Sequence, residues 1–134
     1  MSMLLIKTYL DKSPIHGIGV FADEFIKKGT LVWKFNPLID IILTPEQRQK
    51  LPEVTRDFIN YISVPYPFGA DNYCLSLDNA QYMNHSDDPN MGPDAKKGGD
   101  IALRDIPKGA EMTVDYRVED HRIDVSDFLV YTDG

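Results

Sequence analysis

The chain is cut into short pieces. Its runs of β-branched and aromatic residues are stopped within a few positions by turn pairs such as Lys28-Gly29, Asn36-Pro37 and Lys108-Gly109. Glycine supplies the positive backbone angles that turns require, and proline cannot donate to a sheet ladder. Long helices and long central strands do not survive such punctuation. The expected fold is mostly β. Candidate strands are residues 3–9, 18–22, 30–35, 38–43, 73–77, 100–104 and 111–116.

One stretch departs from this pattern, and a short helical insert is expected over about 44–62. Thr44-Pro45-Glu46-Gln47 puts a hydroxyl at the N-cap, proline at the first helical position and glutamine at the third. Pro52 ends that turn. After it, Val54, Phe58, Tyr61 and Ile62 fall at helical spacing, with Arg56, Asp57 and Asn60 turned away. A packing helix with Val54, Phe58, Tyr61 and Ile62 on its inner face follows. Ser63 to Gly69 holds two prolines and a glycine and reads as a loop. With no repeat and no linker, the 134 residues are expected to form one domain, 1–134.

Charge and cysteine content narrow the function classes. The net charge is −7, which speaks against direct contact with nucleic acid and for a basic protein or peptide partner. Cys74 stands alone, so the chain builds neither a disulfide framework nor a multi-cysteine zinc site. The apolar run Met3 to Ile6 is too short for a signal-peptide core or a membrane span. A cytoplasmic protein is expected, nuclear in a eukaryote, away from membranes.

Three constellations could carry chemistry. The first is His16-Gly17-Ile18-Gly19-Val20-Phe21-Ala22, where two glycines let the backbone approach a ligand. The second is Gln81-Tyr82-Met83-Asn84-His85-Ser86-Asp87-Asp88-Pro89-Asn90, dense in donors and acceptors. The third is Ile106-Pro107-Lys108-Gly109-Ala110-Glu111-Met112-Thr113-Val114-Asp115-Tyr116, a turn feeding an alternating strand. Taken singly, each has an ordinary reading as a turn, a polar surface loop and a strand. Asp87, Asp88, Asn90 and Asp94 offer oxygen ligands, but their spacing is not that of an EF-hand, and no metal is assigned. Ser86 adjoins His85 without a nucleophile elbow.

Together, and in this order, the three resemble the SET-domain family of protein methyltransferases over roughly residues 3 to 117. Gly17-Ile18-Gly19-Val20-Phe21-Ala22 is similar to the family's opening motif. Tyr82-Met83-Asn84-His85-Ser86 with Pro89-Asn90 is similar to its asparagine-histidine-serine motif. Glu111 to Tyr116 is similar to its closing strand. The resemblance implies a β-clip-like SET fold of several small curved sheets, whose C-terminal strand tucks beside the asparagine-histidine segment in a pseudoknot. It implies S-adenosylmethionine on one face, a substrate lysine on the other and a narrow channel between them. His16, Gly17, Ile18, Gly19, Tyr82, Asn84 and His85 would line the cofactor pocket, Tyr116 would be catalytic, and Phe35 and Val114 would lie along the lysine channel.

The implied chemistry is a displacement at a sulfonium methyl by a neutral amine. A lysine with its usual pKa near 10.4 is neutral to roughly one part in a thousand near pH 7, a deficit of about 4 kcal/mol. A dry channel beside a positive sulfonium lowers that pKa by desolvation and like-charge repulsion. The sequence also departs from the family. No cysteine-rich segment follows Tyr116, and an apolar tail over about 117–134 (Val125, Phe128, Leu129, Val130 and Tyr131) takes its place as a candidate cover. Phe35 stands where a tyrosine is frequent, Gln81 where an arginine is frequent, and Val114 where a larger ring is frequent. The smaller Val114 implies room for dimethyl or trimethyl product. The expected function is a lysine N-methyltransferase acting on a basic, histone-like or ribosomal tail. The alternative is a non-catalytic SET-like protein-interaction module, with or without retained binding of S-adenosylmethionine.

Overall fold

The computed structural model describes residues 4–67 and 69–120. Ten short strands form three sheets. They are β1 (Thr8–Lys12), β2 (Ile18–Ala22), β3 (Leu31–Lys34), β4 (Asp40–Leu43), β5 (Ser63–Val64), β6 (Tyr73–Ser76), β7 (Asn84–His85), β8 (Met91–Asp94), β9 (Gly99–Ala102) and β10 (Glu111–Val114). Three helices, α1 (Pro45–Gln49), α2 (Glu53–Ile62) and α3 (Tyr116–Glu119), and a 3₁₀ turn at Asn79–Tyr82 complete the fold. The sheet orders are β1-β2-β10-β7, β3-β9-β8 and β4-β6-β5. Among the described residues no helix is long and apolar enough to cross a membrane.

The core collects one face of several sheets. Val20, Ala22, Val32, Ala102 and Met112 are fully buried, because alternation along a strand sends every second side chain inward. Two turn segments meet back to back at the centre. Ile26 and Ile106 form a bridge, with Ile26 N–H to Ile106 O at 2.9 Å and Ile106 N–H to Ile26 O at 2.8 Å. Each isoleucine precedes a Lys-Gly turn whose glycine, Gly29 or Gly109, has φ near +90°. Both isoleucines are buried, so this pairing anchors two distant parts of the chain to one core.

β10 positions the site. It pairs antiparallel with β2, through Glu111↔Phe21 and Met112↔Val20, and parallel with β7, through Thr113↔Asn84 and Val114↔His85. The last strand thus lies between the opening motif and the asparagine-histidine segment. Asn90 fastens the same strand: its side chain donates to Glu111 O at 2.8 Å and accepts from Thr113 N–H at 2.9 Å.

Several sequence expectations are corrected. Residues 3–9 do not form one strand. Leu4 makes an isolated bridge with Trp33, and β1 begins only at Thr8, because Leu4 N–H is taken by the Asp78 carboxylate at 2.9 Å. α2 does not pack through Val54 and Phe58, which are 77% and 54% exposed; Ile59, at 4%, is its inward residue. The loop at 63–69 begins as β5, which pairs with β6. β8, at Met91-Gly92-Pro93-Asp94, was not expected; it lies at a sheet edge, where a proline costs no ladder bond. The closing strand ends at Val114 rather than at Tyr116, because Asp115 caps α3 by accepting Arg117 N–H at 2.9 Å. The helical insert and its capping box form as expected, with Gln47 N–H to Thr44 Oγ1 at 3.1 Å and Thr44 N–H to Gln47 Oε1 at 2.9 Å. Apart from the start of α3, the candidate cover falls in residues 121–134, outside the described residues.

Candidate active site

The parallel β7–β10 pair brings Asn84, His85 and Tyr116 together. Asn84 is 6% exposed. Its side-chain amide donates to His16 O at 3.0 Å, Ile18 O at 3.2 Å and Glu111 Oε2 at 2.9 Å. The asparagine therefore shapes the glycine loop that precedes β2. Ser13 Oγ donates to both Glu111 oxygens at 2.8 Å, so the carboxylate is held from two sides. Gly17 sits at φ +46°, and a Cβ on Gly19 would lie 2.4 Å from Glu111 Oε2. The second glycine is required by the carboxylate packed on it. His16, Ile18 and Tyr82 are exposed around this loop.

His85 is held at both ring nitrogens. Its Nδ1 lies 3.0 Å from Tyr116 N–H, and its Nε2 lies 2.8 Å from Asp87 Oδ1. A nitrogen that accepts from an amide carries no proton, so the proton of the neutral ring is on Nε2 and points to Asp87. Asp87 and Asp115 are joined by Arg117, at 3.0 and 2.7 Å. Arg117 holds the Asp115 carboxyl below its usual range by hydrogen bonding first, with its charge and the nearby His85 assisting.

Tyr116 faces inward. Its hydroxyl donates to Met83 O at 2.6 Å, and its ring tilts against His85 with centroids 5.3 Å apart. Burial, with the Glu111 charge second, pushes its pKa to about 12. The phenol therefore keeps its proton at any working pH. It can orient a partner but not serve as a base.

Tyr116 and Met83 both line a pocket of about 80 Å³. Trp33, Met83, Met91, Val114 and Tyr116 form its apolar wall, while Ser63, Ser76, Gln81, Asp100 and Glu119 supply polar atoms. Of the two sequence-expected channel residues, Val114 lines the pocket. Phe35 is not among the lining residues; it stacks on Tyr66 at 4.5 Å with the rings 9° from parallel, and Trp33 stands in the wall. Asp87, Asp88 and Asp94 are spread over separate contacts: to His85 and Arg117, to Arg104, and to the Lys96 and Lys97 amides.

Sequence reasoning missed Asp100 and Glu119. Asp100 shares a strand face with buried Ala102, two residues on, so period-two alternation could have marked it as an inward carboxyl. Nothing in the sequence links it to Glu119. Burial raises both carboxyl pKa values, and Glu119 is raised further by the charge of Asp100.

Three small sheets around a half-buried, inward-facing tyrosine beside a glycine loop and an Asn-His pair define the SET-type class of fold. The SET domain family model matches residues 17–117, and the chain belongs to the SET-domain family. Over 117 residues, 83% of this chain, it is 30% identical to histone-lysine N-methyltransferase 2D of Homo sapiens and equally to that of Mus musculus. It spans only 2% of the length of those relatives. Among solved structures, a Plasmodium falciparum candidate histone methyltransferase superposes with a TM-score of 0.56 at 25% identity, covering 83% of this chain and 93% of that one.

Proposed function

We propose that the chain is an S-adenosylmethionine-dependent protein-lysine N-methyltransferase acting on a basic protein or peptide. One observation carries the reading: Tyr116 lines a pocket, with its hydroxyl bonded to the carbonyl of a second lining residue, Met83, while its backbone N–H is tied to His85, next to the asparagine that shapes the glycine loop. The loop fits a cofactor with a charged amino-acid end. Its backbone is approachable at Gly17, His16 beside it is exposed, and Asn84, the neighbour of His85 in β7, holds it. Ile18 and Tyr82 offer apolar surface for a flat ring. S-adenosylmethionine, when bound, supplies an electrophilic methyl group.

The chain's own residues do the rest. The Tyr116 proton is committed to Met83 O, so toward an amine N–H this oxygen acts as acceptor and aligns the nitrogen lone pair. Trp33, Met91 and Val114 exclude water, which disfavours a charged amine. An acidic surface attracts a basic tail. The names of the relatives make core histones the first substrates to try.

The test is transfer of labelled methyl from S-adenosylmethionine to core histones and to cell-extract proteins, with the modified residue mapped and cofactor affinity measured by calorimetry. Labelled lysine is expected. Cofactor binding without any transfer would leave a protein-interaction module, and absence of binding would remove the cofactor as well.

A further inference from the structure

Among the described residues, the pocket that Tyr116 lines has two carboxyl side chains and no cationic one. Asp100 reaches it from β9 and is 9% exposed, and Glu119 reaches it from α3, 19 positions further along the chain. The two share a hydrogen bond. Glu119 Oε1 is buried and has no hydrogen-bond partner among the described residues. A buried acceptor left without a donor costs about 1–3 kcal/mol, and an ammonium entering the pocket would supply that donor. No lysine, arginine or histidine stands among the described residues that line the pocket. The other groups facing the pair are the Asp115 carboxylate, on the same segment as Glu119, and the neutral Tyr116 phenol. Asp115 adds negative charge, and its own partner Arg117 lies outside at the surface.

We propose that the Asp100–Glu119 pair receives the substrate's lysine ammonium and takes its proton, delivering a neutral amine to the Tyr116 hydroxyl. In this step an Nζ–H bond breaks and its electron pair stays on nitrogen. An O–H bond forms on the carboxylate of the pair, whose charge goes from one negative to neutral. Nothing else is consumed. The driving force is the removal of two opposite charges from a site shielded by Trp33, Met91 and Val114. A pair of adjacent carboxyls holds one proton readily, because both cannot ionise at close range. Burial raises the affinity of both groups for protons, which suits an acceptor working near neutral pH. The inference rests on the methyltransferase reading. It adds an acceptor that neither Tyr116 nor His85 can supply.

The experiment compares the wild type with Asp100→Asn/Glu119→Gln. Labelled-methyl transfer to core histones is followed from pH 6 to pH 10, alongside calorimetry with S-adenosylmethionine. The variant is expected to bind the cofactor within about twofold of the wild type. Its kcat at pH 7 should fall about a hundredfold and recover as the pH rises toward the amine's own pKa. A purely structural pair would not yield rescue by alkali. A second readout needs no activity: binding of a lysine-rich histone peptide, measured in buffers of different ionisation enthalpy, should exchange no net proton with the buffer in the wild type, where the proton stays on the pair, and should release protons in the variant, where a neutral amine must give its proton to solvent. Where the amide variant folds poorly, Asp100→Leu/Glu119→Met replaces the pair by apolar groups, with the same loss and rescue expected. An active wild type whose variant keeps both kcat and pH profile overturns the proposal alone. A wild type that binds cofactor yet labels neither histones nor extract proteins ends the methyltransferase reading, and the pair's role with it.

Discussion

Tyr116→Phe isolates the hydroxyl from everything else the residue does. The ring keeps its tilt against His85, and the backbone N–H keeps its bond to Nδ1. What is lost is the hydrogen bond to Met83 O at 2.6 Å. A neutral bond of this kind contributes about 1 kcal/mol net to stability, which for a domain of this size lowers Tm by roughly 3–6 °C. The effect on chemistry should be larger, because the hydroxyl aligns the amine only as it reacts. One such polar contact is worth roughly 3 kcal/mol, or about a hundredfold in kcat. Cofactor affinity should stay within about twofold, since neither Asn84 nor the glycine loop is touched. Initial rates with labelled cofactor, calorimetry and a thermal melt measure the three quantities separately. Turnover within about threefold of the wild type would refute the role assigned to this oxygen.

Other substitutions and conditions probe the neighbouring parts. Gly19→Ala should destabilise the fold by about 1–3 kcal/mol and weaken cofactor binding, because Glu111 is pinned by Ser13 and Asn84 and cannot yield to a Cβ 2.4 Å away; melting and calorimetry check it. Gly99→Ala should cost more, since its Cβ would meet the Trp33 backbone oxygen at 2.0 Å and part β3 from β9; a native-like Tm would contradict that packing. Asp100 and Glu119 have pKa values raised above those of the unfolded chain, so protonation favours the folded state. The stability they confer is full below about pH 4 and is lost as the pH rises through their folded values. The wild-type Tm should therefore fall across that range relative to Asp100→Asn/Glu119→Gln, and parallel curves would count against the burial of the pair. With a net charge of −7, substrate KM should rise steeply with salt, and a flat salt dependence would remove electrostatic steering.

Much of the fold was legible in the chain. β2 runs Ile18–Ala22, as its apolar pattern and flanking glycines require, and Thr44 caps α1 with the reciprocal glutamine bond. The three motifs led directly to the family. Errors arose where a partner overrode local pattern. Val54 and Phe58 have helical spacing, yet the face of α2 that turns inward is chosen by what packs against it, and that face carries Ile59. Leu4 reads as strand, but a carboxylate from Asp78, distant in sequence, takes its amide.

Turns, caps and alternation are settled within a few residues, by backbone sterics and short-range hydrogen bonds, and these the amino-acid order dictates by itself. The site is of another kind. Ser13 and Glu111 meet across 98 positions, and Asp100 meets Glu119 where α3 comes against β8, the neighbour of β9. Which carboxyls end up buried together, and so which hold a proton, depends on how three sheets close around one core. Burial and mutual charge are properties of that closure, and only the tertiary structure decides them.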